Sequence, residues 1–274
     1  MQADAEPHAA HSFDDQMNRE EVFNRTALLI GRDNLDRLGK ARVIIFGMGG
    51  VGSWAAETLV RSGFSRLTIV DADRIALSNI NRQLPATTST IGEVKVEAMK
   101  KRLLDINPDA EIEAIHDFYN SSTQDRYVLT DFDVVIDAID SLSDKALLIL
   151  EATEAAAATA KSERPTRFYS SMGAALKMDP SRIAVAEFWK VKGCPLAAAL
   201  RRKFKKSGEF PARKFKCVYS DELVANHKDA NELTDHTGAM TYNKVATNGA
   251  MMHITAIFGI TLASLAIREM VVSC

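Results

Sequence analysis

Gly47, Gly49, Gly50 and Gly52 stand between two short apolar runs, and Asp71 closes the second run. Glycines at that spacing let a backbone turn tightly and approach a phosphate. The start of a following helix offers N–H groups, and an acid at the end of the next strand can hold ribose hydroxyls. Arg82, Gln83 and Lys95 come next. Two cations placed after a glycine turn suit a triphosphate better than a dinucleotide, because they can neutralise charge that builds on phosphates during transfer. Read structurally, they are surface cations in weak pairs. Asp140 follows another apolar run, DVVID. It could hold a magnesium ion bridging phosphates, and it also stands where an N-cap would open the next helix.

The elements that must position these residues are legible. Val43 to Phe46 is an unbroken apolar run ahead of the glycines and reads as a strand buried on both faces. Trp54, Leu59 and Val60 keep helical spacing up to Gly63, and Leu67 to Val70 reads as a second strand. Ahead of them, residues 18–38 carry Val22, Ala27, Leu28, Leu35 and Leu38 among charges, which predicts an amphipathic helix interrupted near Gly31. Ser78, Asn79, Asn81 and Pro85 mark a loop. Val96, Met99 and Leu103 then place Lys95 near the start of a helix that ends before Pro108. Glu111 to Ile115 alternates as a strand, and Asp133 to Asp137 is another buried one. Asp71, Asp137 and Asp140 thus fall at carboxyl ends of strands, where open parallel sheets hold ligands.

The second half begins with an alanine-rich helix over 142–160 and a polar linker, KSERPTR. FYSSMGAAL reads as a strand leading into a small-residue turn. An Asp-Pro turn then opens a further strand with Ile183, Val185 and Phe188 as core positions. The fold class expected is α/β: a Rossmann-like, doubly wound, mainly parallel sheet with helices on both faces and an antiparallel extension in the C-terminal half. Residues 1–17 form a mobile tail. Residues 18–274 form one domain, with a nucleotide-binding half at 18–160 and a substrate-facing half at 161–274.

Composition narrows the function classes. The 274 residues are 46% hydrophobic and 26% charged with net charge −2, so no global field recruits nucleic acid. A local patch could. Between Lys190 and Lys216, ten lysines and arginines, among them Arg201, Arg202, Lys203, Lys205 and Lys206, stand against the single acid Glu209, with Phe204, Phe210 and Phe215 interleaved. That is a nucleic-acid footprint, or else a solvated basic helix face. Cys194, Cys217 and Cys274 make no disulfide framework and no CxxC pair, which suggests a reducing, cytoplasmic setting. The polar, acidic N-terminus lacks a signal-peptide pattern. Val245 to Ile267 carries no formal charge, yet its polar residues and glycines favour a helix buried against the sheet over a membrane span. SDELVANHKDANELTDHTGAMTYNK predicts a long mobile loop.

Taken together, GMGGVGSWAAETLVRSG, VDADRIALSNINRQ, the segment Gly92 to Lys95 and VIDAID resemble the adenylating superfamily of ubiquitin-activating enzymes, whose bacterial members activate sulfur carriers. The resemblance implies a ThiF-type domain that joins a carboxylate to AMP. By it, the four glycines line the phosphates of ATP, Asp71 holds the ribose with Asp73 beside it, Asn79, Arg82 and Lys95 contact the triphosphate, Gln83 completes the motif and Asp140 is the Mg2+-linked aspartate. Arg25, in FNRT, matches an arginine that such homodimers insert into the partner's site. SSMGAALKMDPSRIAVAEF, the helix start at Pro195 and KCVYSDE further resemble the tRNA threonylcarbamoyladenosine dehydratase branch. That implies cyclisation of the threonylcarbamoyl group on tRNA through an acyl-adenylate, with tRNA carrying threonylcarbamoyladenosine as partner and a sulfur-relay protein as a further possible one.

Three other readings stay open at the level of sequence. Activation of a sulfur-carrier or ubiquitin-like C-terminus shares every nucleotide residue, but the paired CxxC zinc motif usual in those enzymes is missing. A nicotinamide-dependent dehydrogenase would use Asp71 but leaves Arg82, Gln83 and Lys95 unexplained. A non-catalytic nucleotide scaffold does not need so full a catalytic set. Cys217 lies in the alternating KFKCVYS and reads as a packed side chain rather than a covalent nucleophile.

Overall fold

The computed structural model describes residues 19–227 and 248–271. The expected tail at 1–17 and most of the long loop expected after Ser220 lie outside the described residues.

Seven strands, β1 (Arg42–Phe46), β2 (Arg66–Val70), β3 (Glu111–Ile115), β4 (Val134–Asp137), β5 (Arg167–Ser171), β6 (Ile183–Glu187) and β7 (Lys216–Ser220), form one sheet in the order β3-β2-β1-β4-β5-β7-β6. Six run parallel, and β6 pairs antiparallel with β7 at the edge. The α/β expectation, antiparallel extension included, is met. The strand order reverses between β1 and β4, the switch point where such sheets open a ligand crevice.

Alternation along β1 shows why its run is unbroken. Val43 and Ile45 pack on one face and Ile44 and Phe46 on the other, all fully buried. Helices α4 (Gly52–Arg61), α5 (Lys95–Ile106) and α8 (Met252–Val271) cover the first face; α6 (Leu142–Ala158) and α7 (Pro195–Ser207) cover the second. α8 is long and apolar enough to cross a membrane. Here Ile254, Phe258, Leu262 and Ala266 are buried in the core against α4 and the sheet instead.

Several local expectations are corrected. The first amphipathic helix is three short ones, α1 (Arg19–Val22), α2 (Asn24–Ile30) and α3 (Arg32–Lys40). The interruption expected near Gly31 is there, where a φ of +83° ends one helix and starts the next, and the unexpected break is the one at Phe23. Phe23, Leu35 and Leu38 are buried, but Val22 and Leu28 point to solvent. Val185 is 40% exposed because β6 is an edge strand with an open face, while Phe188 beyond it is fully buried. The N-cap of α6 is Ser141, so Asp140 precedes the helix and does not cap it.

Candidate active site

The turn between β1 and α4 is pinned from β2. Asp71, one residue past that strand, accepts the Met48 N–H at 2.6 Å with one oxygen and the Asp73 N–H at 2.8 Å with the other. Its carboxylate therefore shapes the glycine turn as well as facing the crevice. Lys95 Nζ lies 3.3 Å from Asp71 and 3.0 Å from Asp73. The chain brings it there because 73–75 and 92–95 run as a short antiparallel clip: the Ile75 N–H bonds the Glu93 carbonyl and the Lys95 N–H bonds the Asp73 carbonyl. Burial alone would depress the Lys95 ammonium, but the two carboxylates outweigh it and hold its pKa above the ordinary lysine value. Lys95 is thus a charged lysine that is almost wholly buried.

The four glycines divide into two kinds. A Cβ on Gly47 would lie 2.8 Å from the Ala138 carbonyl, at a φ of +92° that side chains avoid, and one on Gly52 would run into the Gly47 carbonyl. Both keep the turn pressed onto the end of β4. Gly49 and Gly50 face side chains instead: a Cβ on Gly50 would meet Thr255 at 3.1 Å and the Arg82 side chain at 3.3 Å, and one on Gly49 would meet Gln83 at 3.9 Å. Those two are the glycines beside the cation and the amide. Val51 heads α4 without a side-chain cap; the Gly49 carbonyl takes the Ser53 N–H at 3.2 Å, and the Gly52 and Trp54 N–H groups of the first turn are left for an anion.

Arg82 is held over this turn. Its guanidinium donates to the Ser78 carbonyl at 2.9 Å and to Asn81 Oδ1 at 2.8 Å, while its carbonyl accepts from Trp54 Nε1 at 3.3 Å. Gln83 is buried, and its Oε1 has no hydrogen-bond partner among the described residues. The Gln83 atom nearest the turn is Nε2, 3.9 Å from where a Gly49 Cβ would stand, so the amide presents its donor beside Gly49. Asn79 is buried too, with Oδ1 taking the Ala76 N–H at 3.1 Å, so it braces the loop.

The structure therefore brings Asp71, Asp73 and Lys95 together at the end of β2, and Gly49, Gly50, Arg82 and Gln83 together at the head of α4. The Met48–Asp71 bond joins the two groups. Asp140 is exposed two residues beyond Ala138, at the carboxyl end of β4. Arg25 is not part of this cluster. α2 adjoins Phe23, which packs beside Gly63 past the far end of α4, and Arg25 is exposed with no ion pair or hydrogen bond among the described residues.

Three contributors were missed by the sequence reading. Asn81 orients Arg82 and ties the loop to the start of α8 through the Ala250 carbonyl at 3.0 Å. Its place inside SNINRQ was a signal. Thr255, against Gly50, gave none. Lys145 is fully buried and pairs with Asp137 at 2.7 Å. Ser170 Oγ also donates to Asp137 at 2.6 Å, and Lys145 Nζ donates to the Ile139 carbonyl at 3.0 Å, beneath the loop that carries Asp140.

The basic segment is less uniform than its composition. Arg202, Lys203, Lys205 and Lys206 are exposed on α7. Arg201 is corrected: its Nη1 donates to the Phe188 and Val191 carbonyls at 3.1 and 2.9 Å, and its guanidinium lies 5.9 Å from the Phe188 ring, so it is occupied inside the fold. Phe204 and Phe215 are core residues rather than surface platforms. Cys217 is buried on β7, and burial pushes its thiol pKa well above the ordinary cysteine value. That matches its reading as a packed side chain.

The ThiF family model matches residues 23–271. The chain belongs to the ThiF family. The tRNA threonylcarbamoyladenosine dehydratase of Haemophilus influenzae is 36% identical over 259 residues, covering 92% of this chain and 94% of that protein. The protein of the same name from Bacillus subtilis is 40% identical over 200 residues, 73% of this chain and 74% of its own. The Escherichia coli tRNA N6-threonylcarbamoyladenosine dehydratase, solved in complex with ATP, superposes with a TM-score of 0.74 at 32% identity over 92% of this chain and 94% of that one. A sulfur carrier protein adenylyltransferase from Thermus thermophilus is 34% identical, but over only 128 residues, 46% of this chain.

Proposed function

We propose that this ThiF-family chain uses ATP to cyclise threonylcarbamoyladenosine in tRNA, with loss of one water, through an acyl-adenylate. The observation that carries this choice is the extent of likeness. The sulfur-carrier adenylyltransferase shares under half of the chain, whereas the dehydratase of H. influenzae matches 92% of it, through the substrate-facing half.

In this account the threonyl carboxylate attacks the α-phosphate of ATP and pyrophosphate leaves. A nucleophile within the modified base then attacks the acyl carbon, closing a ring and releasing AMP. The attack is intramolecular and has its own high effective molarity, so no enzyme nucleophile is needed. Gly49, Gly50 and the Gly52 and Trp54 N–H groups at the head of α4 receive phosphate oxygens. Arg82 and Lys95 stabilise the charge that grows on them, and Gln83, whose Nε2 lies nearest Gly49, donates beside them. Asp71 both holds the turn and meets the ribose, with Asp73 fixing Lys95. Asp140 would hold Mg2+, which would supply further neutralising charge on the phosphates.

A homodimer completes the site. Leu28 and Leu29 are 80% and 85% exposed on the helix that carries Arg25. Burying such side chains stabilises by about 1.5–3 kcal/mol each, which supports docking of α2 on a second copy with Arg25 presented to that copy's phosphates. The exposed cations Arg202, Lys203, Lys205 and Lys206 meet the tRNA backbone. The burial of α8 in the core supports a chain that does not associate with membranes, and a tRNA substrate fits a cytoplasmic setting.

AMP formation by the purified chain, measured with ATP and magnesium, tests the reading. It should require tRNA bearing threonylcarbamoyladenosine and should proceed without a sulfur-relay protein. AMP formed only with a carrier protein, and not with modified tRNA, contradicts it.

A further inference from the structure

The aromatic residues around α7 form a row that starts in the core and ends in solvent. Phe168, Phe215 and Phe188 are buried, with centroids 5.0 Å apart between the first two and 5.1 Å between the last two. Trp189 meets Phe188 edge-on at 5.1 Å, and Phe210 meets Trp189 at 6.2 Å. These last two rings emerge, 38% and 54% exposed.

The outer pair is held from behind. Arg201 clamps the carbonyls of Phe188 and Val191, on either side of Trp189. Gly208 ends α7 with φ +77° and turns the chain so that Phe210 returns to Trp189. Exposed Lys190, Lys203, Lys205 and Lys206 lie close by in the chain, against two acids, Glu209 and the half-buried Glu187.

The pair is remote from the glycine turn. The N-cap of α7 is Cys194, whose sulfur is 4.0 Å from where a Gly173 Cβ would stand, beyond the carboxyl end of β5. The Phe188 N–H bonds the Phe215 carbonyl, just ahead of the amino end of β7. The row therefore surfaces at the opposite end of the sheet from the active site, and α7, about 20 Å long for its 13 residues, runs from one end to the other.

We propose that Trp189 and Phe210 are a stacking platform for RNA, gripping tRNA at a point distant from the adenosine that reacts. The proposal rests on the tRNA reading above. Aromatic faces accept any base, and surrounding cations hold the phosphates that flank it. A protein partner fits less well, because lysine is depleted from the cores of protein interfaces. The platform would raise affinity for a whole tRNA while leaving ATP chemistry untouched.

The test is the steady-state kinetics of the W189A/F210A double variant with modified tRNA. The expected result is a KM for tRNA raised about tenfold, the loss of one stacked base, with kcat and the KM for ATP near wild type. W189F/F210Y should restore most of the affinity, which separates stacking from damage to the fold, and K203E/K206E should raise the same KM independently. A KM for tRNA unchanged in the folded double variant overturns the platform while the dehydratase reading stands. A change in subunit association with unchanged tRNA affinity also overturns it and makes the patch a contact between copies. Wild-type protein that does not cyclise tRNA at all overturns the reading and the platform with it.

Discussion

Lys95 and Lys145 are both buried lysines paired with aspartates at the carboxyl ends of parallel strands, and their surroundings divide their work. Lys145 and Asp137 are both fully buried, and Ser170, the Ile139 N–H and the Ile139 carbonyl take up bonds around the pair. Neither side chain reaches solvent or the crevice. Lys95 sits between Asp71 and Asp73, and the Asp73 side chain is 44% exposed. Its charge is desolvated from the protein side yet borders an open crevice. A cation there acts strongly on an incoming phosphate because little water screens it. The first pair holds the Asp140 loop in place; the second lies where, in the function proposed above, charge would change during the reaction.

The largest effect expected from this contrast is on stability. Lys145→Met leaves Asp137 buried without its cation and should cost about 3–5 kcal/mol, read as a fall in the denaturation midpoint. A variant with wild-type stability would remove the structural role given to Lys145. Next come Arg82→Ala and Lys95→Ala, which should each lower kcat about 10²–10³-fold, with the Arg82 variant keeping the wild-type melting temperature. If Lys145→Met, measured below its melting point, lost as much activity as Lys95→Ala, the division between the two lysines would fail. Ser170→Ala should be milder, about 1–3 kcal/mol, because the ion pair survives with one bond fewer.

The pH dependence sharpens the comparison further. Asp71 and Asp73 raise the Lys95 pKa above 10.5, against the opposing effect of burial. A raised pKa in the folded state means that its stabilisation is complete below about 10.5 and lost as pH climbs through the higher folded value. The stability difference between wild type and Lys95→Met should thus be flat from neutral pH up to about 10.5 and shrink above it. A difference that grew above that pH would give Lys95 the wrong sign. The smallest effect belongs to Cys217→Ala. With its thiol buried and its pKa raised, this variant should cyclise tRNA at the wild-type rate, and the native thiol should resist iodoacetamide at pH 8. A loss of turnover would restore a covalent role.

Local patterns reported what local chemistry decides. The run Val43 to Phe46, the glycines and the strand ending at Asp71 lie within one stretch, and the sheet forms there as expected. Lys95 was legible because its helix start follows a motif at short range. Lys145 was not, since its partner Asp137 belongs to a preceding strand and a lysine in LSDKALL looks like any solvated helix residue. The glycines read as one group, yet Gly47 and Gly52 serve the backbone crossing at Ala138, a contact made by a strand far along the chain. Arg201 looked like its neighbours on α7 because its carbonyl partners become apparent only when the 188–191 segment folds back across the helix. The exposure of Leu28 and Leu29 is invisible to hydrophobic periodicity, which assumes that an apolar stripe meets its own core.

The central claim is that the phosphate-facing cations serve a reaction on tRNA. The most direct measurement is the mass of the nucleoside recovered after the purified chain, ATP and magnesium are incubated with tRNA carrying threonylcarbamoyladenosine. The account predicts the loss of one water, with AMP formed in equal amount, and no change with Arg82→Ala or Lys95→Ala. An unaltered nucleoside from wild-type protein that binds both ATP and the tRNA would contradict it.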